Sequence, residues 1–499
     1  MLNAVPRVPP PHNEPVESYA PGSPARARLK AALEEMSGTP IEIPLVVGGK
    51  ELRTGEVVDC RAPHRHDLLL ARCHQAGRAE IEQAIEAART AQHDWARMPW
   101  YERLTIFLRA AELLATKYRP LLNAATMLGQ SKTAHQAEID AACESIDFWR
   151  WNAHFAERIY KEQPASGPGV WNLLDARPLE GFVLAITPFN FTSIGANLPT
   201  APALMGNTVL WKPARTALLS AHYLMLILRE AGLPPGVINF LPAPARAISE
   251  VALPHPELAG IHFTGSTAVF QTLWKTVGAR IERYRSYPRL VGETGGKDFI
   301  LAHPSADPET LAVAIARGGF EYQGQKCSAA SRVYLPESLW RAGLRERLVD
   351  LVGQIRVGDV ADFRNFMGAV IDEASFKNIT GYVKAAKEGP HMRILAGGGA
   401  DGTEGWFVQP TLVEAEDPKA RLMCEEIFGP VVTLFVYQDG AWEDTLRLCD
   451  ETSPYALTGA VFARDRAAID QAADRLRHAA GNFYINDKPT GAVVGLSLM

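Results

Sequence analysis

The stretch that decides the fold is Gly181-Phe-Val-Leu-Ala-Ile-Thr-Pro-Phe-Asn-Phe191, an apolar run that stops at turn-forming residues. Short apolar runs bounded by Gly, Pro or Asn are typical of buried strands. Further runs alternate with stretches of helical spacing on both sides of residue 296, which indicates βαβ units and parallel sheets in an α/β protein. We predict strands at Gly181–Ile186, Thr208–Trp211, Val237–Leu241, Gly260–Phe263, Ser331–Leu335, Met392–Leu395, Val431–Tyr437, Leu457–Ala463 and Asn482–Asn486.

Helices are predicted upstream of this stretch. Apolar residues recur at helical spacing from Arg78 to Tyr118, which indicates two amphipathic helices. A third helix is expected from about Ala134 to Ile159, and a short one at Pro24–Met36. The turn formers of Gln163–Val170 break the helical pattern, so this segment is either a boundary or an excursion from the main body.

Length and composition favour a globular protein with two large domains. A chain of 499 residues is too long for one ordinary core, and its 47% hydrophobic and 21% charged residues are typical of soluble globular proteins. The 51 basic and 56 acidic residues give a net charge of −5, and no basic tract indicates binding to nucleic acid or an anionic membrane. No uncharged apolar run reaches about 18 residues, which argues against a membrane span.

The cysteine pattern indicates a reducing compartment. Six cysteines stand without tight spacing in a long chain, so thiols are favoured over disulfides. The thirteen histidines are scattered, and we expect no metal site. Met1–Pro21 is rich in proline and shows neither a secretory nor an import pattern, so we expect a cytoplasmic protein.

The segment Gly324-Gln-Lys-Cys-Ser328 offers a candidate nucleophile, Cys327. A catalytic thiol must ionise readily, and nearby cations lower a thiol pKa. By itself this signal is weak, because a lone cysteine is usually a small buried apolar residue.

Two polar residues are candidates for acid–base and oxyanion roles. Glu293 lies beside consecutive glycines in Val291–Lys297, and its apolar lead-in can raise its pKa toward that of a general base. The alternative is a surface glutamate in a turn. Asn190 follows a predicted buried strand and can donate to an oxyanion, although a lone asparagine there more often forms an Asx turn.

Two further strand ends are candidates for cofactor contacts. Lys212 closes the strand before Pro213, where its ammonium can bond ribose hydroxyls. Phe263–Thr267 follows another strand and opens a helix, which presents backbone N–H groups to a pyrophosphate. This turn lacks the G-x-G-x-x-G fingerprint and alone proves little.

The order and spacing of these five segments resemble the aldehyde dehydrogenase superfamily, and Glu425-Glu-Ile-Phe-Gly-Pro430 adds a sixth matching block. The resemblance runs from about Asn13 to Gly495. Four phrases resemble the Δ1-pyrroline-5-carboxylate dehydrogenase branch, namely Thr187–Thr192, Ala203–Asn207, Phe320–Ala329 and Gly481–Lys488.

The resemblance implies a Rossmann-like NAD-binding domain, an α/β catalytic domain and a small oligomerisation flap, assembled as a homodimer or larger homo-oligomer. The implied boundaries are an N-terminal arm at 1–45, an NAD-binding domain at 46–159 and 179–294, a flap at 160–178, a catalytic domain at 295–480, and a substrate-anchor loop with a truncated tail at 481–499.

The resemblance also implies roles for single residues. Cys327 is the nucleophile, Glu293 the general base and Asn190 the oxyanion donor. The NAD contacts would be Thr187, Lys212, Gly265, Ser266 and Glu426. The substrate contacts would be Gly491 and Ala492 in the anchor loop, with Lys326 and Ser328 near the substrate carboxylate.

The chain departs from the family pattern at two places. Position 492 is Ala where some relatives have Ser, so anchoring there must use backbone groups. After Gly495 the family continues with a Gln-Pro-Phe-Gly-Gly segment, whereas this chain ends at Leu496-Ser-Leu-Met499, and we expect a less well supported anchor loop.

The expected activity is NAD-dependent oxidation of L-glutamate γ-semialdehyde, formed from Δ1-pyrroline-5-carboxylate, to L-glutamate in proline catabolism through a Cys327 thioester. Two alternatives stay open. One is a dehydrogenase for another aldehyde, and the other is a catalytically impaired homologue that serves as a binding or structural protein. The residues do not decide between NAD and NADP.

Overall fold

The computed structural model describes residues 6–496. Residues 1–5 of the predicted arm and 497–499 of the predicted tail lie outside that range. The chain forms two compact units. The first unit comprises residues 6–61, Leu68–Gln130 and Ala137–Glu293, and the second comprises Ala62–Asp67, Ser131–Gln136 and residues 294–496.

A seven-stranded sheet forms the centre of the first unit. Its central strands are parallel, and Ile186 pairs with Lys212 on one side and Phe263 on the other. The last two strands in the order run antiparallel to their neighbours. The spatial order is Arg289–Thr294, Leu258–Gly265, Phe182–Ile186, Thr208–Lys212, Ile238–Phe240, Leu45–Val47 and Lys50–Leu52.

A second seven-stranded sheet forms the centre of the second unit. Its strands are parallel except for the edge strand Met392–Ala396, which is antiparallel to its neighbour. The spatial order is Met392–Ala396, Thr411–Ala415, Val431–Tyr437, Arg332–Pro336, Phe299–Ala302, Thr458–Phe462 and Asn482–Ile485.

Two smaller sheets complete the strands. Ile41–Ile43 lies parallel to Arg65–His74, which also neighbours Val57–Ala62. Ala400–Asp401 pairs with Phe407–Val408 in an antiparallel ribbon.

The helices cover the faces of the two large sheets. Arg78–Arg97 shows why, because Ile81, Ala84 and Ile85 lie on one face and are buried in the core of the first unit. The α-helices are Pro24–Gly38, Arg78–Arg97, Trp100–Leu113, Arg119–Gln130, Ala134–Ala137, Ser145–Lys161, Thr192–Leu204, Leu218–Glu230, Ala245–Val251, Thr267–Gly278, Pro308–Phe320, Glu337–Leu339, Arg345–Gly353, Glu373–Glu388, Arg421–Cys424, Trp442–Glu451 and Arg466–Arg475.

Wider and tighter turns occur at several helix ends. One extra residue per turn widens the helix at Leu114–Tyr118, Glu138–Glu144 and Trp340–Leu344, each of which continues directly into an α-helix. Short 3₁₀ turns occur at Arg215–Ala217, Ile281–Arg283 and Asp439–Ala441.

The α/β prediction is confirmed, and each strand predicted from the sequence is present with ends that shift by at most two residues. Within residues 6–496, no helix is both long enough and apolar enough to cross a bilayer. Two short segments lie in the second unit although their sequence neighbours lie in the first. Pro63 accepts a hydrogen bond from the Trp406 N–H at 2.9 Å, and the Ser131 hydroxyl accepts one from the Ala369 N–H at 2.9 Å.

Candidate functional site

The carboxyl ends of three neighbouring strands gather the candidate cofactor residues of the first unit. Because Ile186, Lys212 and Phe263 share one register, Thr187, Lys212 and Gly265 lie at the same edge of the sheet. Ligands of open parallel sheets bind at this edge. Thr187 is fixed there, because its N–H donates to the Lys212 carbonyl at 3.1 Å and its hydroxyl accepts from the Trp211 indole at 3.0 Å.

A helix N-terminus opens at the same edge. Ser266 is the N-cap of Thr267–Gly278, and its hydroxyl accepts from the Val269 N–H at 3.4 Å. Gly265 is tightly packed, since an added Cβ would lie 2.7 Å from the Phe263 ring. Unpaired N–H groups and the positive end of the helix dipole make this position suited to an anion such as a pyrophosphate.

Asn190 is buried in a loop that is braced from behind. The Gln130 side-chain amide donates to the Phe189 carbonyl at 2.5 Å, and its oxygen accepts from the Thr192 hydroxyl at 3.1 Å. Asp140 accepts from the Thr192 and Ser193 N–H groups at 3.3 and 3.4 Å, at the first turn of Thr192–Leu204. The loop that carries Asn190 is therefore held on both sides of that residue.

Glu293 lies near the end of Arg289–Thr294, the edge strand of the first sheet. Its side chain is half-buried. Burial raises the pKa of its carboxyl above the ordinary value, because the charged form loses hydration. A raised pKa makes this carboxylate a stronger base than an ordinary glutamate, as suits a general base.

The candidate residues of the second unit lie at the amino ends of its parallel strands. Cys327 precedes the central strand Arg332–Pro336, and Glu426 precedes its parallel neighbour Val431–Tyr437. Lys297 precedes Phe299–Ala302 on the other side. All three therefore lie where parallel strands begin.

Cys327 lies in a turn after the helix Pro308–Phe320, not at the N-terminus of a helix. The residue is half-buried. The turn is fixed by the Ala329 N–H, which donates to the Lys326 carbonyl at 3.0 Å, and by the Thr458 hydroxyl, which donates to the Ser328 carbonyl at 3.2 Å.

Glu426 packs against the glycine turn that follows Glu293 in sequence. A Cβ added to Gly295 would lie 2.0 Å from a Glu426 carboxyl oxygen, and Gly296 contributes a backbone hydrogen bond to that carboxyl. Burial raises the pKa of Glu426 to about 7, although the Gly296 bond and the nearby Lys297 oppose the rise. Glycine at 295 is what allows this close approach.

The anchor-loop residues Gly491 and Ala492 are half-buried and follow a closed turn. The Lys488 ammonium donates to the Thr490 carbonyl at 3.0 Å and to its hydroxyl at 2.8 Å. The same ammonium lies 3.9 Å from the Glu321 carboxylate. Lys488 and Glu321 thus connect the anchor loop to the segment that leads to Cys327.

Sequence reasoning did not identify Gln130, Asp140, Glu321 or Lys488. Gln130 and Asp140 form hydrogen bonds with residues that are more than 45 positions away in the sequence. Glu321 pairs with Lys326, five positions further along a segment that is not an α-helix. Neither spacing is a pattern that a linear sequence reveals. In the described range, residues 6–496, no group of three His, Cys, Asp or Glu side chains is arranged to hold a metal ion.

Comparison with known proteins places the chain in a family. Residues 51–497 match the model of the aldehyde dehydrogenase family. The mitochondrial Δ1-pyrroline-5-carboxylate dehydrogenase of Dictyostelium discoideum is 51% identical over 491 residues, which cover 98% of this chain and 88% of the relative.

Solved structures agree with the sequence matches. The NAD-bound Δ-pyrroline-5-carboxylate dehydrogenase of Mycobacterium tuberculosis is 53% identical with a TM-score of 0.95, covering 99% of this chain and 91% of that one. The NAD-bound 1-pyrroline-5-carboxylate dehydrogenase from Thermus is 32% identical with a TM-score of 0.91, covering 98% and 93%. The family model and these full-length matches show that this chain belongs to the aldehyde dehydrogenase family.

Proposed function

We propose that this protein catalyses the NAD-dependent oxidation of L-glutamate γ-semialdehyde, the open form of Δ1-pyrroline-5-carboxylate, to L-glutamate. The observation that carries the proposal is identity of about half over nearly the whole chain to pyrroline-5-carboxylate dehydrogenases, one of which is an NAD-bound structure with a TM-score of 0.95. The activity belongs to proline catabolism, in which the semialdehyde is the substrate and glutamate the product.

The arrangement of residues in the first unit independently supports NAD binding. The strand-end residues Thr187 and Lys212, the tightly packed Gly265 and the helix N-terminus at Ser266 form one edge with N–H groups and an ammonium for a ribose and a pyrophosphate. We assign NAD binding to residues 46–159 and 179–294 and the reacting thiol to 295–480. Glu426 in the second unit would hold a ribose hydroxyl. NAD, when bound, supplies the acceptor for the hydride that leaves the substrate carbon.

The protein residues carry the covalent steps. The Cys327 thiolate forms a C–S bond to the aldehyde carbon, and the carbonyl electron pair moves to oxygen, where the Asn190 amide donates a hydrogen bond. Loss of hydride leaves a thioester on Cys327. Glu293 then accepts a proton from water, the water oxygen bonds to the thioester carbon, and the C–S bond breaks to release the carboxylate and the thiolate.

Substrate recognition is assigned to the anchor loop, with the backbone N–H groups of Gly491 and Ala492 as donors. We place Lys326 near the substrate carboxylate, and its ammonium donates to the Glu321 carboxylate at 3.1 Å. Arg317, Lys326 and Lys488 outnumber Glu321 in this cluster, so its net charge is positive. The positive field of this cluster favours an anionic substrate over a neutral aldehyde. Ser328 is assigned a place beside Lys326, near the substrate carboxylate.

One experiment tests the activity against its alternatives. Purified protein is mixed with NAD and Δ1-pyrroline-5-carboxylate, and the formation of NADH is followed by its absorbance. Succinate semialdehyde and hexanal are assayed separately in the same way, and kcat/KM is compared among the three substrates. We expect the highest kcat/KM with the pyrroline. A higher value with another aldehyde would assign a different substrate, and no turnover with any of them would favour a binding or structural role. Exchange of NAD for NADP in the same assay ranks the two cofactors.

The flap at 160–178 is proposed as the contact that makes the protein a homodimer or larger homo-oligomer. Its support is exposed apolar surface, because Trp171 is 82% exposed and Leu173 is 69% exposed. Monomeric proteins rarely leave adjacent large apolar side chains in water. Light scattering after size exclusion should give a multimer for the wild type and a smaller species for Trp171→Ser with Leu173→Ser. The control Trp274→Ser removes an exposed tryptophan outside the flap and should leave the mass unchanged.

We also propose that the protein works in the cytoplasm. The supporting observation is that all six cysteines are present as thiols, as expected in a reducing compartment. Fractionation of source cells with an antibody against the protein tests this. Recovery in a membrane-bounded fraction, protected from added protease, would contradict it.

A further inference from the structure

The chain makes an unusual left-handed turn directly before the nucleophile. Tyr322 has φ 50° and ψ 44°, Gln323 has φ 54° and ψ 30°, and Gly324 has φ 64°. Only glycine adopts this region readily, and two consecutive larger residues there are rare. Left-handed residues of this kind persist only where the surrounding structure holds them, and they concentrate at functional sites.

Two segments that contact this turn also contain residues with left-handed backbone conformation. Within the described chain, five residues other than glycine have positive φ, and two of them, Ser131 and Phe428, lie in segments that contact the turn. Ser131 receives a hydrogen bond from Gln323, and Gly429, next to Phe428, packs on Gly324 so closely that an added Cβ would lie 2.3 Å from the Gly429 carbonyl oxygen. The unfavourable backbone is therefore concentrated in one place in the second unit.

The Gln323 side chain clamps the turn to its surroundings. Its amide nitrogen donates to the Ser131 carbonyl at 2.9 Å and to the Ala369 carbonyl at 2.7 Å. The Ser131 hydroxyl in turn accepts from the Ala369 N–H at 2.9 Å, which closes a ring of hydrogen bonds. Gln323 is 1% exposed, and its side-chain oxygen has no hydrogen-bond partner among the described residues. A buried amide that leaves its oxygen unpaired is costly, so its two donated bonds must matter.

The residues on both sides of Gln323 are held as well. The Lys132 ammonium lies over the Tyr322 ring, 4.2 Å from its centroid, and both side chains are buried. The Gln325 side-chain oxygen accepts from the Ile371 N–H at 2.9 Å. The turn is therefore fixed at the side chains of Tyr322, Gln323 and Gln325, and Gln323 supplies two of the hydrogen bonds.

We propose that Gln323 is a positioning residue for Cys327, and that its amide clamp holds the left-handed turn which sets the place of the thiol. The inference rests on the proposed role of Cys327 as nucleophile. Without the clamp, Tyr322 and Gln323 relax toward the ordinary right-handed region, and the chain leaves the turn in another direction. Cys327 follows three residues after Gly324, so a small change of direction displaces its sulfur.

The test compares two variants of Gln323 with a matched control. Gln323→Leu keeps side-chain volume and removes both donated bonds, whereas Gln323→Gly removes the clamp and allows the left-handed backbone without steric cost. The control is Gln92→Leu in the first unit, because the Gln92 amide also donates to two carbonyls, those of Leu179 and Gly181, at 2.6 and 3.0 Å. Each protein is compared by its thermal midpoint, by the rate of the NADH burst with Δ1-pyrroline-5-carboxylate, and by the rate of Cys327 alkylation with iodoacetamide.

We expect both Gln323 variants to slow the burst on the order of 100-fold at a temperature where each is folded, since a displacement of about 1 Å has that effect on a reacting pair. The alkylation rate should also change in both. Gln92→Leu should lower the thermal midpoint by a similar amount and leave the burst and alkylation rates at the wild-type values. A purely structural role of Gln323 would reproduce the control.

Every other result overturns the proposal. A wild-type burst in either Gln323 variant would show that the clamp does not position Cys327. Failure of both variants to fold, with a folded Gln92→Leu, would assign Gln323 to stability alone. If the role of Cys327 itself is wrong, Cys327→Ala will retain turnover, and that failure is distinct because it does not involve Gln323.

Discussion

The Lys326 ammonium lies 3.1 Å from the Glu321 carboxylate, and both side chains are almost fully buried. Arg317 and Lys488 approach the same carboxylate, Arg317 through a hydrogen bond of 2.7 Å. Burial alone would raise the pKa of Glu321, but Lys326, Lys488 and Arg317 together lower it to about 2. The Lys326 ammonium, next to Cys327 in the sequence, is therefore held in a buried position by the Glu321 carboxylate.

The first prediction concerns the stability that Glu321 contributes. Its pKa is about 2 in the folded protein against 4.5 for the unfolded reference. A lowered carboxyl pKa stabilises the fold above the unfolded pKa, and this contribution is lost as the pH falls from about 4.5 toward 2. The difference is worth about 3 kcal/mol above pH 5. Glu321→Gln should lower the free energy of unfolding at pH 7 by about that amount or more, because buried cations lose their partner.

Urea unfolding at pH 7 and at pH 4 measures this effect. Glu250→Gln is the matched control, because Glu250 pairs with Arg246 on an exposed helix surface and surface pairs contribute little. Equal unfolding free energies for wild type and Glu321→Gln at pH 7 would contradict the prediction.

The second prediction concerns Cys327. Cys327→Ala should abolish dehydrogenase activity and leave NAD affinity and the thermal midpoint nearly unchanged, because the thiol is the bond-forming group and its removal creates only a small change in a half-buried turn. Steady-state NADH production and fluorescence titration with NAD measure the two properties. Cys60→Ala, another half-buried cysteine, should remain active. More than about a tenth of wild-type kcat in Cys327→Ala would be incompatible with covalent catalysis.

The third prediction separates Glu293 from the nucleophile. Glu293→Gln should still give a burst of about one NADH per active site, followed by slow turnover, because thioester hydrolysis needs the base and hydride loss does not. Rapid mixing measures both phases. The control Glu282→Gln changes an exposed glutamate and should leave both phases normal. A variant with neither burst nor turnover would place Glu293 earlier, as an activator of the thiol.

The pH dependence of the slow step follows from the same residue. Burial raises the pKa of Glu293, and only the ionised form accepts a proton from water. The hydrolysis rate should therefore fall as the pH drops through this raised pKa, at a higher pH than the one at which an ordinary glutamate is protonated. This fall in the hydrolysis rate at low pH should be absent in Glu293→Gln. If the rate of the variant still falls at low pH, the titrating group is not Glu293.

The fourth prediction concerns Lys212 at the strand end. If its ammonium bonds the NAD ribose, Lys212→Met should weaken NAD binding about 10-fold to 100-fold, the usual worth of a hydrogen bond from a charged group. Isothermal titration with NAD measures the affinity. Lys275→Met, an exposed lysine on the helix Thr267–Gly278, should bind NAD normally. An unchanged affinity in Lys212→Met would remove Lys212 from the NAD site.

The sequence by itself determined the local elements, the α/β class and the family of this protein. The run Phe182–Ile186 is apolar throughout, because strands covered by helices on both faces need no polar side. Such patterns depend on neighbouring residues alone. The ordered blocks around Asn190, Glu293 and Cys327 sufficed to identify the family, because several short motifs in fixed order rarely arise together.

Tertiary structure alone decided how the candidate residues are held. The commitment of Lys326 to Glu321, the left-handed turn at Tyr322 and Gln323, and the packing of Glu426 on Gly295 all depend on what surrounds each residue. Local propensity opposes a left-handed Tyr or Gln, and only bonds from distant segments such as Ser131 overcome it. Sequence patterns report local preference, whereas burial, charge pairing and backbone strain are set when remote segments meet.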